Sequence, residues 1–248
     1  MRALVALFLI AATPALADDI TISGHIDAAM AAKLHGRLSD GKAHTLHVNS
    51  SGGDDLAALA LAGDIRQAHA RLVVDGVCAG PCTDLFVAAA ERNVAPGGLV
   101  IFAASPASRL AMVPGARRKD VIPGYQEAAG KEKELFTQAH ADPALLLEPQ
   151  LKLQTQCYSL TSHNPAGQAY INYQAGAVGW IPSRAYLARA GVKVGGFWPA
   201  SDAQFQAALR NAFPGGATGA IVFAGTDKPL PQPALLTRLA AIKECPKR

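Results

Sequence analysis

Strand-like and helix-like segments alternate through the first part of the chain. Four segments have the pattern of strands: residues 19–26, 44–49, 71–75 and 99–102. Apolar residues recur at helical spacing in the three segments between them: residues 28–38, 56–69 and 81–91. Because repeated strand–helix units join parallel strands through right-handed crossovers, this order restricts the topology strongly. The sequence therefore predicts an α/β fold with a largely parallel sheet.

The later part of the chain gives weaker patterns. Residues 105–124 are rich in proline, glycine and arginine and are predicted to form a loop, while residues 166–177 are left unassigned. Helices are predicted at residues 125–140, 143–153 and 234–244, and short strands at residues 192–194 and 220–224. Asp27 and Ser183 are predicted N-caps of the helices that follow them, and Gly191 follows the end of the second of these.

The first 17 residues have the three-part pattern of a secretory signal. Arg2 supplies a positive start, residues 4–12 form an apolar core, and Ala15-Leu16-Ala17 is a typical cleavage site. The apolar core is shorter than the roughly 20 residues that span a bilayer. We expect cleavage near Ala17 and a periplasmic or secreted protein that begins at Asp18, without a membrane span; the alternative is a buried N-terminal helix.

The charge pattern argues against nucleic acid as a partner. The formal net charge is +4, and the basic residues are scattered apart from clusters at residues 117–119 and 243–248. Nucleic-acid binding usually needs a basic stripe or stacked aromatic residues, and neither is present. We interpret both clusters as solvated surface.

The four cysteines indicate disulfides in an exported chain. Three connectivities are open. We expect Cys78–Cys82, which flank the predicted strand-to-helix turn, and Cys157–Cys245, which remain to pair. A metal site would need further histidine or cysteine ligands near Cys78, and a redox role would need a Cys-x-x-Cys spacing.

Three strand ends carry motifs that resemble a known family. One strand is followed by Asn49-Ser50-Ser51-Gly52-Gly53, a later one by Cys78-Ala79-Gly80-Pro81-Cys82, and the strand at 99–102 ends before Ala103. This resembles the serine-peptidase branch of the Clp-protease/crotonase-like superfamily, especially its secreted bacterial members. The resemblance covers residues 20–194. It implies a crotonase/Clp-protease-like spiral of β-β-α units at residues 18–194, with a C-terminal extension at residues 195–248 packed on the same domain.

The chain departs from this family at both reacting positions. The family has serine where this chain has Gly80, and histidine where it has Ala103. A serine hydroxyl is a weak nucleophile until a nearby base takes its proton, and the two act as a unit. Thr83 is the nearest hydroxyl, and no histidine lies between His69 and His140. We therefore predict no catalytic residues, with Gly80 and Ala103 as vestigial site positions.

Gly52 and Gly53 are the part of the family's site that remains. In the family, backbone N–H groups at this turn form an oxyanion hole, because glycine lets the backbone approach a carbonyl closely. Such a turn could hold a peptide carbonyl, and the slot beside it could bind an extended chain by strand addition. The alternative is an ordinary Gly-Gly turn between strand and helix.

Enzymatic alternatives rest on a few other side chains. Crotonase-like relatives use an oxyanion hole on acyl-CoA without a serine, which would make Asp54, Asp55 or Asp84 the acid or base. Acyl-CoA is not expected outside the cytoplasm, and aspartates beside a turn are usually helix caps. His163 is the remaining base by residue type, although lone histidines in loops are mostly surface residues.

Three hypotheses follow. The leading one is an exported pseudo-hydrolase that binds a peptide or protein partner. The others are an active hydrolase with relocated catalytic groups and a structural subunit of an envelope assembly. We expect no metal or cofactor, and the formation of a homo-oligomer is left open.

Overall fold

The computed structural model describes residues 18–162, 167–223 and 228–246. The predicted signal segment, residues 1–17, and His163 lie outside the described residues.

The first part of the described chain alternates strands and helices as expected. Its elements are β1 (Asp18–Ser23), α1 (Ala28–Leu38), β2 (His44–Ser50), α2 (Asp55–Gln67), β3 (Arg71–Ala79), α3 (Cys82–Ala88), β4 (Glu91–Val94) and β5 (Leu99–Ile101). Strands β1, β2, β3 and β4 lie side by side in this order, β5 also pairs with β3, and every pairing is parallel. The α/β class and the largely parallel sheet are confirmed.

Strand β3 organises the sheet because it pairs with two strands on the same side. Its first half pairs with β4, and its second half, from Val77 to Ala79, pairs with β5. On its other side, Ser50 at the end of β2 pairs with Cys78. The carboxyl ends of β2, β3 and β5 therefore meet at one edge, where the three sequence motifs lie. Ligands of open parallel sheets typically bind at this edge.

The sheet and its helices share one apolar core. Alternate residues of the first three strands are fully buried: Ile20, Ile22, Leu46, Val48, Leu72 and Val74. Helix α2 contributes Ala58, Leu61, Ala62 and Ile65, which are also fully buried. Each large aliphatic side chain that is buried in this way stabilises the fold by about 1.5–3 kcal/mol.

The second part of the chain is more irregular. Its elements are α4 (Pro106–Met112), a 3-10 turn (Gly115–Asp120), α5 (Pro123–Gln138), α6 (Ala144–Lys152), β6 (Thr155–Ser162), β7 (Ala169–Ala175), β8 (Gly179–Ile181), α7 (Arg184–Arg189), β9 (Gly195–Gly196), α8 (Asp202–Ala212), β10 (Ile221–Phe223), α9 (Gln232–Ala240) and β11 (Lys243–Glu244). Strands β6 and β7 form an antiparallel hairpin that β11 joins, β10 pairs with β8, and β9 extends the main sheet beside β4.

Several sequence-based boundaries are wrong. The predicted loop at 105–124 contains α4, because Ser105 and Ser108 form a reciprocal capping box and Pro106 opens the helix. The helix predicted at 81–91 ends at Ala88, and Glu91 already begins β4. The strand predicted at 192–194 lies instead at 195–196, the helix predicted at 234–244 ends at Ala240, and the unassigned segment 166–177 contains β7.

Both expected disulfides are present. Cys78–Cys82 has a Cα–Cα distance of 5.2 Å, and Cys157–Cys245 has one of 5.0 Å. The second bridge joins β6 to the residue after β11, and α9 packs against α4 and α6. The division of the chain at residue 194 stays a prediction. No helix among the described residues is long and apolar enough to cross a membrane.

Candidate functional site

The residues before the Gly-Gly turn brace it against neighbouring strands. The Asn49 side-chain oxygen accepts a hydrogen bond from the Val77 N–H at 3.0 Å, across the irregular register between β2 and β3. The buried Ser50 hydroxyl donates to the Gly24 carbonyl at 2.6 Å and accepts from the Gly52 N–H at 3.1 Å. These contacts fix the path of the chain as it leaves β2.

The two glycines of this turn leave no room for a side chain. Gly52 has a φ of +108°, and a Cβ atom there would lie 2.9 Å from the Ala79 carbonyl oxygen. Gly53 forms an isolated bridge with Ile26, and its Cβ would lie 2.0 Å from the Ile26 carbonyl oxygen. Gly52 thus packs directly against the turn that follows β3. Its N–H already donates to Ser50, and the oxyanion-hole role of the pair stays a prediction.

Gly80 occupies a tight strand-to-helix turn between β3 and α3. Its N–H donates to the Ile101 carbonyl at 3.1 Å, and its φ of +54° lies in the left-handed region. A Cβ built on Gly80 would meet nothing within 4 Å. The Cys78–Cys82 disulfide bridges the two sides of this turn. The position therefore has the local shape of a nucleophile turn and open space in front of it, but no nucleophile.

Ala103 is placed by the pairing of the residue before it. The backbones of Phe102 and Trp180 exchange two hydrogen bonds of 2.8 Å, and their rings lie 6.4 Å apart. Ala103 and Gly80 line the same pocket. The structure thus brings together Gly80 and Ala103, the two positions that the family resemblance assigns to a serine and a histidine.

Three carboxyl groups line this pocket, which we call the acid pocket. Asp55 comes from α2, Asp84 from α3 and Glu132 from α5. The large apolar residues that line it are Phe102, Phe136, Leu145 and Leu146. The volume open to a water-sized sphere is about 20 Å³. That is room for one small polar group rather than for a bulky side chain.

Asp84 is a buried carboxyl group without a hydrogen-bond donor among the described residues. Its exposed fraction is 3%, and no described residue donates a hydrogen bond to its carboxyl group. Burial raises the pKa of Asp84 well above its usual value, and the charges of Glu132 and Asp55 raise it further. A carboxyl group in this position is therefore held largely in its neutral form.

Glu132 is equally buried but has a hydrogen-bond donor. Its carboxylate accepts from the Ala107 N–H at 2.9 Å, while the nearby Ser105 hydroxyl donates to the Leu146 carbonyl at 3.2 Å. Burial raises the pKa of Glu132 to about 8, against the lowering effect of the Ala107 hydrogen bond and of the neighbouring Ser105 hydroxyl. Glu132 thus titrates near neutral pH.

Asp55 and Arg109 complete the electrostatic environment. Burial raises the pKa of Asp55, while the charge of Arg109 opposes that shift. The Arg109 guanidinium donates to the Tyr125 hydroxyl at 2.8 Å and to the Ala104 carbonyl at 2.9 Å. It also lies 5.6 Å from the centre of the Tyr173 ring. Arg109 does not itself line the pocket, and its Nε is buried without an acceptor.

The remaining sequence candidates have structural roles. The Asp54 carboxylate caps α2 by accepting from the Ala57 N–H at 2.8 Å, as the helix-cap alternative predicts. The Thr83 hydroxyl donates to the Gly80 carbonyl at 2.7 Å and is 7% exposed. Within the described residues, no histidine lines the acid pocket and no group of acidic, histidine or cysteine side chains is arranged to hold a metal ion.

Sequence reasoning named Asp55 and Asp84 but missed Glu132. Glu132 lies on the buried face of α5 with Ala128, Leu135 and Phe136. A carboxyl group on the apolar face of a helix is unusual, because burying it without donors is costly. A glutamate at an apolar position of the helical pattern was therefore the sequence signal that could have identified Glu132 as a site residue.

Comparisons with known proteins give a likeness of fold. No protein-family model matches the chain, and no curated protein matches it. Among solved structures, the chain is similar to a mutant of ClpP1 from Listeria monocytogenes, with 17% sequence identity and a TM-score of 0.37. That likeness covers 49% of this chain and 71% of that one.

Proposed function

We propose that the protein is an exported pseudo-hydrolase of the Clp-protease-like fold that binds a peptide or protein partner without cleaving it. The observation that carries this proposal is the pairing of Gly80 and Ala103 at one pocket. These are the two positions where the resemblance requires a nucleophile and a base. The turn that would present the nucleophile is kept, and its side chain is gone.

The loss of hydrolysis follows from the chemistry of acyl transfer. Attack on a carbonyl needs a nucleophile and a base within hydrogen-bond reach of each other. Among the described residues that line the pocket, only Thr83 and Ser105 have a hydroxyl group. The Thr83 hydroxyl donates its proton to the Gly80 carbonyl. The Ser105 hydroxyl caps α4 and donates its proton to the Leu146 carbonyl at 3.2 Å. Neither hydroxyl has a histidine partner in the pocket.

The binding half of the proposal rests on the family resemblance of the Gly52-Gly53 turn, which in family members faces a substrate carbonyl. In this chain the two glycines lie against the Ala79 and Ile26 backbones, and the Gly52 N–H donates to Ser50. Export is supported by the signal pattern of residues 1–17 and by two disulfides, which persist in oxidising compartments.

Labelling by a fluorophosphonate probe tests the loss of the nucleophile. The purified wild-type protein is expected to show no covalent label and no turnover of peptide or ester substrates above background. The heat-denatured protein measures nonspecific labelling, and an active serine hydrolase in the same tube verifies the probe. Wild-type labelling that disappears when one serine or threonine is replaced would overturn the proposal. A pull-down from periplasmic extract then separates a partner-binding protein from a purely structural subunit.

One observation favours a second candidate, an enzyme whose acid–base groups are relocated to the acid pocket. Asp84 and Glu132 have raised pKa values at a pocket, and such groups are typical of acid–base catalysts. If this candidate holds, ester or peptide turnover is measurable in the wild type and is abolished in Asp84→Asn, without any fluorophosphonate label. Equal, background-level turnover in both proteins would reject it.

A further inference from the structure

We propose that the acid pocket binds a primary ammonium group, with Asp84 as its main acceptor. The inference rests on the proposed function in one respect, since the group would belong to a lysine side chain or N-terminus of the bound peptide. The binding site itself is tested below with small ammonium compounds and does not depend on finding that partner.

The pocket has more carboxyl groups than cations to balance them. Asp55, Asp84 and Glu132 line it, and Arg109 is the one cation among the described residues whose charge acts on Asp55 and Glu132. Arg109 is already held by Tyr125 and Ala104. Several buried carboxyl groups around one distant cation are unfavourable when they are ionised, unless a further positive group enters. A cationic ligand supplies that charge.

Asp84 shows where the missing partner would sit. Asp84 is 3% exposed and lines the pocket. Its carboxyl group receives no hydrogen bond from the described residues. Buried carboxyl groups are normally paired, because leaving one without a donor costs free energy. An N–H group entering the pocket would provide the donor that the chain itself does not.

The size and walls of the pocket select a primary ammonium group. A volume of about 20 Å³ accepts a group of the size of water and excludes a planar guanidinium or a trimethylated nitrogen. A primary ammonium carries three N–H donors, which match carboxyl oxygens from three different helices. The partly exposed lining residues Gly80, Pro81 and Ala103 mark the side from which a methylene chain would enter. The open space in front of Gly80 lies on the same pocket.

Binding is expected to release a proton. The titratable groups around the pocket are Asp55 on α2, Asp84 on α3, Glu132 with Tyr125 on α5, and Arg109 on α4. Helix α6 faces the pocket with Leu145 and Leu146. Because burial keeps Asp84 and Glu132 protonated, an entering ammonium favours their ionised forms and displaces a proton. Affinity should therefore rise with pH while the ligand remains charged.

Calorimetric titration of the wild-type protein with n-butylammonium chloride tests this directly. Titrations in two buffers of different ionisation enthalpy should report release of about one proton per bound ammonium near pH 7. The association constant should then rise by about tenfold per pH unit up to roughly pH 8. Butanol, which is similar in shape but uncharged, and tetramethylammonium, which is too large, are expected to show no binding.

Two variants assign the site. Asp84→Asn, which keeps the shape of the side chain, should weaken n-butylammonium binding by about tenfold or more. Glu134→Gln changes an exposed carboxylate on the same helix as Glu132 and should leave binding unchanged. The proposal is overturned if the wild type gives no binding heat up to about 100 mM ligand. Equal binding of tetramethylammonium, or an unaffected Asp84→Asn, also overturns it. None of these results bears on the fluorophosphonate test, so the two proposals can fail separately.

Discussion

The Thr83 hydroxyl donates a hydrogen bond to the Gly80 carbonyl oxygen at 2.7 Å, which closes the turn between β3 and α3. The Thr83 N–H reaches the same oxygen at 2.8 Å. The Thr83 hydroxyl therefore stabilises the turn at Gly80, the position that the family resemblance assigns to a serine. Its proton is engaged in this structural contact.

Replacing Gly80 with alanine and replacing Gly36 with alanine should change the stability of the protein in opposite directions. Both have open space around a Cβ atom, but Gly80 has a φ of +54° whereas Gly36 lies within α1. Gly80→Ala should lower the free energy of unfolding by about 1–2 kcal/mol, because a Cβ is unfavourable in the left-handed region. Gly36→Ala should raise it by up to about 1 kcal/mol, because alanine favours the helix. Urea denaturation of both variants measures the difference, and a Gly80→Ala protein as stable as wild type would contradict the assigned turn.

Sequence patterns were sufficient for the parallel part of the fold because each unit carries local signals. Asp27 accepts a hydrogen bond from the Met30 N–H at 2.8 Å and Ser183 from the Tyr186 N–H at 3.0 Å, as their predicted N-cap roles require. The burial of alternate residues in β2 follows the apolar pattern of its sequence. These features depend on residues that are only a few positions apart, so they can be recognised in the sequence.

The hairpin of β6 and β7 could not be predicted in the same way. β6 mixes polar and apolar residues without a clear period, and β7 alternates buried and exposed residues only over a short stretch of small and polar residues. Their pairing depends on each other and on the Cys157–Cys245 bridge to a distant part of the chain. Strand pairing that depends on distant parts of the chain cannot be recognised from a short stretch of sequence.

The acid pocket was only partly predictable for a related reason. Asp55, Asp84 and Glu132 come from three separate helices, and no sequence spacing links them. Asp55 and Asp84 were named because they follow the two motif turns. Glu132 enters the pocket through the packing of α5, which the sequence does not specify.

Glu132 should make the protein less stable as the pH rises. Its pKa is about 8 in the folded protein against 4.5 for the unperturbed group, so the folded state holds the proton more tightly. Stability from this group is complete below the unfolded pKa and is lost as the pH rises through the folded pKa. The free energy of unfolding should therefore fall between about pH 5 and pH 8. Glu132→Gln should flatten this dependence, whereas the exposed Glu134→Gln should retain it. Denaturation curves across this range measure both, and an unchanged slope in Glu132→Gln would contradict the assignment.

The two disulfides should contribute unequally to stability. In the chain-entropy model, Cys157–Cys245, with its sequence separation of 88, contributes about 4 kcal/mol. Cys78–Cys82, with a separation of 4, contributes about 2 kcal/mol in the same model. Replacing the first pair with serine should therefore lower the free energy of unfolding more than replacing the second. Non-reducing peptide mapping checks the pairing itself, and a Cys82–Cys157 bridge would show it to be wrong.

Restoring the missing pair should restore weak reactivity. A serine side chain has space at Gly80, and Ala103 is partly exposed at the same pocket. Because the interior has room for one small group only, the imidazole of Gly80→Ser with Ala103→His has to lie at the mouth of the pocket, next to the new hydroxyl. We expect slow fluorophosphonate labelling of this double variant and none of either single variant, because a hydroxyl without a base is a weak nucleophile. Labelling should stay far below that of an evolved hydrolase, since the neighbouring side chains are not arranged to hold the new pair. Gly80→Ser with Ala103→Phe is the matched control, with a ring of similar shape that cannot accept a proton. Equal labelling of the control and the histidine variant would show that Ala103 does not occupy the position of the base.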